Sequence, residues 1–410
     1  MVANPPFLTW LDLTASDRDK VRRVLDLFNE QGTVDELGLG PIRDFLSDAL
    51  FPGTSVLHTR LRYVLFIPWL YQRLEARHRE VQDVPAEARA LELRLIEALK
   101  HYGNQEGIIG ARAGASLSRL PSNAYWVALV RWGIFVPNQS QSWYFRHFRE
   151  LANPAQVGHP DDPGVTWHGE ESWTPHLPDP PDELLEAASF DLSANEAECI
   201  RVCMEANVPH SLLAWLAREG SCEMVSVGWP ELAEIVRHRV AARLGETVEL
   251  ARRFSLHMEG APLLYNLLLA ETRLSRNIGN ADAEEAGIEK YRKQLGEWAE
   301  KEADDPAPFD AEALWAAAAR GGAHIKEPLK RFVEGWSVEV ARDGAKAVAD
   351  SQALRDLVAQ RERALKGARA RLVNDRRLQD WTGDVGTGRL NFRWPQVRQL
   401  MTDLHEGLAR

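Results

Sequence analysis

The residues closest to a known catalytic motif are His324 and Lys326. They have the H-x-K spacing of phospholipase-D-type nucleases, in which the nucleophilic histidine needs an acidic partner at the fifth residue after the lysine. That position holds Arg331 in this chain. Because the histidine lacks its aspartate, the sequence argues against phospholipase-D chemistry.

The signatures of other enzyme classes are missing as well. The chain contains no [DE]-x-K triplet of the kind that restriction-type nucleases place on a strand, and no Walker, HExxH, GxSxG or kinase motif. Gly383, Gly386 and Gly388 could wrap an anion beside Arg389, but a lone GxxGxG is also typical of a turn. The sequence therefore predicts no catalytic residue and no cofactor, with Arg389 as a candidate anion contact.

The histidines and cysteines show no metal-binding pattern. His159, His168 and His176 are irregularly spaced, and Cys199 and Cys203 are four residues apart in a helical pattern, which indicates two reduced thiols on one helix face. No CxxC pair or Cys/His cluster with zinc spacing is present. The sequence thus predicts no metal site.

The composition is that of a globular protein, with 45% hydrophobic and 27% charged residues. The first residues, MVANPPFLTWLDL, lack the basic start and apolar stretch of a signal peptide. No apolar run approaches the ~20 residues that a membrane helix needs. We therefore expect a cytoplasmic protein that contacts no membrane.

The net charge of −11 is unevenly distributed. Residues 105–149 contain five arginines and a single glutamate, whereas residues 150–350 contain 19 basic and 37 acidic side chains. A globally acidic protein can bind nucleic acid if one face collects the positive charge. The alternative interpretation is an ordinary solvated helix surface.

The stretch 118–135, SRLPSNAYWVALVRWGIF, predicts a short helix followed by a strand. Pro121 is placed for the first helical turn, and Gly133 for a left-handed residue at the helix end. This order is typical of a winged helix, and the wing tip would then be 139–143. A recognition helix of this kind would contact double-stranded DNA, although the same unit could dock a protein instead. The candidate nucleic-acid contacts are Arg112, Arg119, Ser122, Asn123, Arg131, Arg146 and Arg149.

Arg60 and Arg62 are predicted to lie near the start of an apolar helix that contains Pro68. Their functional interpretation is contact with a phosphate or another anion. The structural alternative is ion pairing with Asp44 or Asp48.

The remaining pattern predicts a mainly α, multi-helical protein in which a winged-helix-like unit, about 86–150, carries a small β wing. The amino-terminal domain would be 1–152. A proline-rich linker would follow over 153–182, and an acidic helical domain with a basic tail over 183–410. Within the last domain, Ser193 and Glu196 have the spacing of a capping box.

Four segments resemble the signature blocks of a bacterial family known as a domain of unknown function. They are 32–71, 119–135, 366–372 (KGARARL) and 390–394 (LNFRW). The resemblance implies a setting among phage-defence genes, near helicases and phospholipase-D-like proteins. It implies no catalytic residue.

Together these observations favour a non-catalytic subunit of a bacterial anti-phage defence system. It would bind double-stranded DNA, dock a helicase or phospholipase-D-like nuclease from the same operon, or do both. Two alternatives stay open. The protein could be a nuclease or another enzyme with an unrecognised active site, or it could be a pure scaffold.

Overall fold

A computed structural model describes residues 35–101, 106–153 and 171–410. In these ranges the protein is mainly helical, as predicted, and contains no β-strand. The closest approach to a sheet is an isolated antiparallel bridge between Phe135 and Trp173, in which Val136 N–H donates to the Ser172 carbonyl at 3.1 Å. The predicted β wing is therefore wrong.

The described residues form two compact units, which we call the first and the second unit. The first unit consists of Arg43–Arg252, Ala316–Ala323 and Asn391–Arg410, and the second of 35–42, Arg253–Trp315 and His324–Leu390. The first unit includes residues on both sides of the predicted 153–182 linker. The boundaries of the compact units thus differ from the predicted domain boundaries. That the predicted segments fold as separate domains stays a prediction.

The helices are numbered in chain order, and three of them, α1, α10 and α13, contain a boundary between units. Those up to residue 257 are α1 (Gly40–Leu50), α2 (Tyr63–Ala76), α3 (Val84–His101), α4 (Pro121–Arg131), α5 (Gln141–Ala152), α6 (Ala194–Asn207), α7 (Leu212–Glu219), α8 (Cys222–Val225), α9 (Trp229–Val236) and α10 (Ala242–His257). Those that follow are α11 (Gly260–Ser275), α12 (Ala281–Asp304), α13 (Ala311–Arg320), α14 (Glu327–Asp343), α15 (Gln352–Lys366), α16 (Asp375–Gln379) and α17 (Trp394–Leu408).

The core of the first unit is built around α2, whose residues from Tyr63 to Tyr71 are all buried. Helices α3, α4 and α5 pack against it. Elsewhere in this unit, α17 packs against α6, α7 and α8. The apolar α2 segment thus holds the helices that carry the predicted nucleic-acid contacts.

Local capping sequences explain where several helices begin. The Ser193 hydroxyl accepts from the Glu196 backbone N–H, and the Glu196 carboxylate accepts from the Ser193 backbone N–H, which confirms the predicted capping box of α6. Ser140, Ser211 and Ser221 cap α5, α7 and α8 in the simpler way, with only the hydroxyl accepting a backbone bond.

The centre of the second unit is the pair of helices α11 and α12. A Cβ atom at Gly260, the first residue of α11, would lie only 2.6 Å from Trp298 Cζ2. Glycine is therefore required at this helix start, because the Trp298 indole packs directly against the backbone. The Trp298 indole N–H donates to the Leu256 carbonyl at 2.8 Å, just before the break between α10 and α11.

Candidate nucleic-acid interface

Helix α4 is the segment that the sequence predicts as a recognition helix. It begins at Pro121, as predicted, and ends at Arg131. Gly133 follows with φ +68°, and a Cβ there would lie 2.5 Å from the Asn207 side-chain Cγ. The left-handed helix end is thus confirmed. The Trp132 indole N–H donates to the Pro52 carbonyl at 2.9 Å and fixes this end of the helix in the core.

The predicted wing is replaced by helix α5. The Ser140 hydroxyl accepts from the Trp143 backbone N–H at 3.2 Å, so the residues expected at the wing tip form the first turn of a helix. Gln141 joins the first turns of α4 and α5, since its side chain contacts both Asn123 and Ser122 at 2.7 and 2.8 Å.

Ser122 does not face a groove, which corrects its predicted position. Its side chain is fully buried. The Ser122 hydroxyl donates to Glu92 Oε1 at 2.7 Å, and the Ser122 backbone N–H donates to Glu92 Oε2 at 2.8 Å. Glu92 is itself fully buried on α3, and burial raises the pKa of its carboxyl group to about 7. Ser122 therefore belongs to a buried polar network and has no surface for DNA contact.

Asn123, the neighbouring candidate, is exposed. Its side-chain oxygen accepts from the Leu120 backbone N–H at 3.0 Å, and its amide nitrogen donates to Gln141. Arg131 lies eight residues further along α4, which corresponds to about 12 Å along the helix axis. The two candidates on this helix are thus at opposite ends of it.

The five arginines of the predicted interface are all exposed. None of them forms an ion pair with a residue that the structure describes. Arg146 donates to the Ser142 carbonyl at 3.3 Å, within its own helix. We call the stretch that carries them the arginine segment. It runs from residue 112 to 149 and contains Arg112, Arg119, Arg131, Arg146 and Arg149.

The three candidate anion contacts outside this segment are engaged within the protein. Arg62 is buried and pairs with Glu196 at 2.6 Å, and it also donates to the Ser189 carbonyl at 2.9 Å. Arg60 binds the buried Asp403 carboxylate through Nε and Nη2 at about 3.0 Å. Neither arginine pairs with Asp44 or Asp48, the partners weighed from the sequence.

Arg389, in the second unit, donates to Ser255 Oγ at 3.1 Å and lies 3.9 Å from a Glu259 carboxylate oxygen. Burial raises the pKa of the Glu259 carboxyl group, and the positive charge of Arg389 opposes that rise. The contacts of Arg389 are therefore structural in this conformation, and anion binding by it stays a prediction.

The second unit contains one set of residues with catalytic geometry that sequence reasoning missed. His257 Nδ1 lies 2.7 Å from Glu302 Oε1, and His257 Nε2 lies 2.9 Å from Ser337 Oγ. A histidine between a carboxylate and a hydroxyl is the arrangement of a serine nucleophile with its base and the group that orients the base. The three residues are 45 and 35 positions apart in the chain, so no local spacing could have indicated them.

The surroundings of this triad are mostly closed. His257 is buried, and its ring stacks on Phe309 with ring centroids 4.8 Å apart. The Ser337 hydroxyl also lies 2.9 Å from the Val333 carbonyl of its own helix. Burial raises the pKa of the Glu302 carboxyl group, but hydrogen bonds from His257 and Arg253 outweigh it and hold that pKa below its ordinary value. The spacing of the three side chains thus suits a serine nucleophile with its base. The burial of His257 leaves the site poorly placed to receive a substrate.

Two further features are absent from the part of the chain that the structure describes. No group of three or more histidine, cysteine, aspartate or glutamate side chains there could hold a metal ion. No helix in that part is both long and apolar enough to cross a membrane.

A family profile matches residues 6–407 of the chain. The chain belongs to DUF6361, a family of unknown function. The matched range of this DUF6361 protein covers all of the second unit and all but the last three residues of the first. Searches among curated proteins and among solved structures find no match. The resemblance to a domain-of-unknown-function family is thereby confirmed.

Proposed function

We propose that the protein is a non-catalytic subunit of a bacterial anti-phage defence system that binds double-stranded DNA through its arginine segment. The observation that carries the proposal is the exposure of five arginines without an ion pair among the described residues. The defence setting rests on the resemblance of four sequence segments to this family. A helicase or a phospholipase-D-like nuclease is the proposed protein partner, and it would dock on the acidic helical domain predicted over 183–410.

The unpaired state of these arginines distinguishes them from the other arginines near them. Arg60 and Arg62 lie in the same unit, and each already has a buried carboxylate as its counterion. If an arginine must break an ion pair with a buried carboxylate before it binds a phosphate, the exchange contributes little binding free energy. The arginine segment can instead neutralise phosphates directly and release their condensed cations, which is the main driving force of non-specific DNA binding.

The number of arginines sets the expected salt dependence. Five phosphate contacts give a slope of about −4.5 for log K against log salt concentration. Between 50 and 200 mM salt, this slope corresponds to roughly a 500-fold loss of affinity. Most of these contacts would be to phosphates and few to base edges. Because phosphate contacts carry no sequence information, we expect little sequence preference.

Fluorescence anisotropy with a labelled 20-base-pair duplex at several salt concentrations tests the proposal. The triple variant R112Q/R119Q/R149Q should reduce the slope to about −2, because two arginines remain. R77Q/R331Q/R342Q is the matched control. It makes the same change in net charge at exposed arginines that pair with Glu80, Glu327 and Glu339, and should keep the slope of the parent. Absence of binding by the parent, or binding that salt does not weaken, refutes the DNA proposal.

A second candidate function is an esterase-type hydrolase, favoured by the spacing of Ser337, His257 and Glu302. Ser337 Oγ would attack an ester carbonyl carbon while its proton passes to His257 Nε2. The ester C–O bond would then break, with the alkoxide leaving as an alcohol that carries this proton, and water would hydrolyse the acyl-serine. A fluorophosphonate probe should then label the parent and not S337A, while S275A, a substitution at another helical serine of the same unit, keeps the labelling. An unlabelled parent excludes this function.

A further inference from the structure

A cavity of about 570 Å³ lies in the first unit, away from the residues considered so far. Helices α7 and α8 and the first turn of α10 line it. Its volume falls within the range of about 300–1,000 Å³ that small-molecule sites occupy. The side chains that decide its chemistry are His210, Trp215, Arg218, Met224, Arg239 and Arg243.

The charge of the cavity is positive. Three arginines line it against a single carboxylate, that of Glu219, which pairs with Arg218 at 2.8 Å. Arg239 and Arg243 are exposed, and neither forms an ion pair with any described residue. The cavity thus contains two guanidinium groups without a counterion, in a chain whose overall charge is −11.

Two acids of the adjoining helices, Glu234 and Glu249, already pair with other arginines. Glu234 lies 2.9 Å from Arg237, and Glu249 lies 2.6 Å from Arg252. The hydrogen bonds from Arg252, opposed by partial burial, hold the pKa of the Glu249 carboxyl group below its ordinary value. These two carboxylates are therefore already engaged, and a ligand anion would have no described ion-pair partner to displace from Arg239 or Arg243.

Trp215 gives the cavity a flat apolar wall. Most tryptophans in the described ranges donate the indole N–H to an oxygen of the protein, as Trp69 does to the Pro178 carbonyl at 2.7 Å. Trp215 is half-buried and makes neither a hydrogen bond through its indole nor a ring contact with another described residue. Its ring is thus free to stack on a flat ligand, with the Met224 thioether beside it.

The start of α10 adds to the preference for an anion. Ala241, Arg243 and Leu244 line the cavity, and α10 begins at Ala242 and is 16 residues long. The Leu244 N–H already donates to the Ala241 carbonyl at 2.9 Å, which leaves the N–H groups of Ala242 and Arg243, with their partial positive charge, without a partner in the helix. They act in the same direction as the two unpaired arginines.

We propose that this cavity binds a free nucleotide. Its phosphates would lie against Arg239, Arg243 and the start of α10, and its base would stack on Trp215. The unpaired guanidinium groups fit the phosphates of a nucleotide, and the unused aromatic face fits its base. An inorganic anion would contact only the guanidinium groups, and an apolar molecule would contact only the aromatic face. The site is separate from the arginine segment, so it can exist whether or not that segment binds DNA.

Isothermal titration of the full chain with ATP, with adenosine and with tripolyphosphate tests the proposal. ATP should bind more tightly than tripolyphosphate by at least tenfold, and adenosine should bind weakest. R239Q/R243Q should weaken ATP at least tenfold. W215A should weaken ATP by a similar factor and leave tripolyphosphate unchanged, because only the base contacts the indole. R331Q, which removes an exposed arginine of the second unit, should leave ATP binding unchanged.

Each contrary result overturns the proposal. ATP that does not bind at 1 mM excludes the site, and equal affinity for ATP and tripolyphosphate excludes a contribution from the base. An ATP affinity that R239Q/R243Q leaves unchanged places the ligand elsewhere. An ATP affinity that R112Q/R119Q/R149Q lowers at least tenfold would move the nucleotide to the arginine segment. Circular dichroism of each variant verifies that it is folded.

Discussion

Replacing Glu92 with glutamine should make the protein more stable at neutral and alkaline pH. Glu92 is fully buried on α3 and accepts two hydrogen bonds from Ser122. Glutamine has the same shape, and its amide oxygen can accept the Ser122 backbone N–H while its amide nitrogen donates to the hydroxyl oxygen. The variant therefore keeps both contacts with Ser122, with the direction of the bond to the hydroxyl reversed, and removes the charge that Glu92 must take on in a buried site.

The magnitude follows from the pKa of the carboxyl group. Burial raises it from the ordinary value of 4.5 to about 7 in the folded chain. Because the folded chain holds the proton more tightly, the contribution of Glu92 to stability is complete below pH 4.5 and falls as the pH rises to about 7. The difference of about 2.5 between the two values corresponds to about 3 kcal/mol. E92Q should thus equal the parent near pH 4.5 and exceed it by about 3 kcal/mol at pH 8.

Urea unfolding at pH 4.5 and pH 8 measures this difference. Amide hydrogen exchange in the first turn of α4 provides a local measurement, since the Ser122 backbone N–H donates to Glu92. The control is E97Q, the same change at an exposed residue of α3 that pairs with Lys100. It should shift stability by less than about 0.5 kcal/mol at both pH values. If the unfolding free energies of E92Q and the parent change identically between pH 4.5 and pH 8, Glu92 does not titrate as a buried group.

Two further substitutions test the packing of the first unit. E196A should destabilise the protein by about 3–5 kcal/mol in urea unfolding at pH 7, because it leaves the buried Arg62 guanidinium without its counterion. A loss below 1 kcal/mol would show that water reaches Arg62. G133A should lower the unfolding free energy by about 1–3 kcal/mol, since a Cβ at φ +68° is strained and meets the Asn207 side chain. An unchanged melting temperature would contradict that geometry.

Local sequence signals were sufficient for much of the helical structure. The capping box at Ser193, the start of α4 at Pro121 and the helix end at Gly133 each depend on residues within a few positions of one another. The β wing failed for a local reason too. Ser140 caps a helix, whereas the sequence analysis places residues 139–143 at the tip of a wing. At this position a turn and a helix start have the same residue preferences.

The contacts of the candidate site depend on sequence-distant partners, which no local pattern reveals. Arg60 and Arg62 were weighed against acids a few residues away, but their counterions are Asp403 and Glu196. Serine is a common residue type in surface contacts. The Ser122 side chain is nevertheless buried, where its hydroxyl donates a hydrogen bond to Glu92. The cavity beside Trp215 and the triad of His257, Glu302 and Ser337 likewise combine side chains from several helices. Only the fold brings these side chains together.

The first unit joins residues from both ends of the sequence. Asp403 on α17 accepts hydrogen bonds from Arg60 and from the Leu61 backbone N–H, more than 340 positions earlier. A fragment of the chain that lacks α17 would therefore leave the Arg60 guanidinium without this carboxylate and the Leu61 backbone N–H without its acceptor. Expression of fragments that stop before α17 is thus a poor route to a folded first unit.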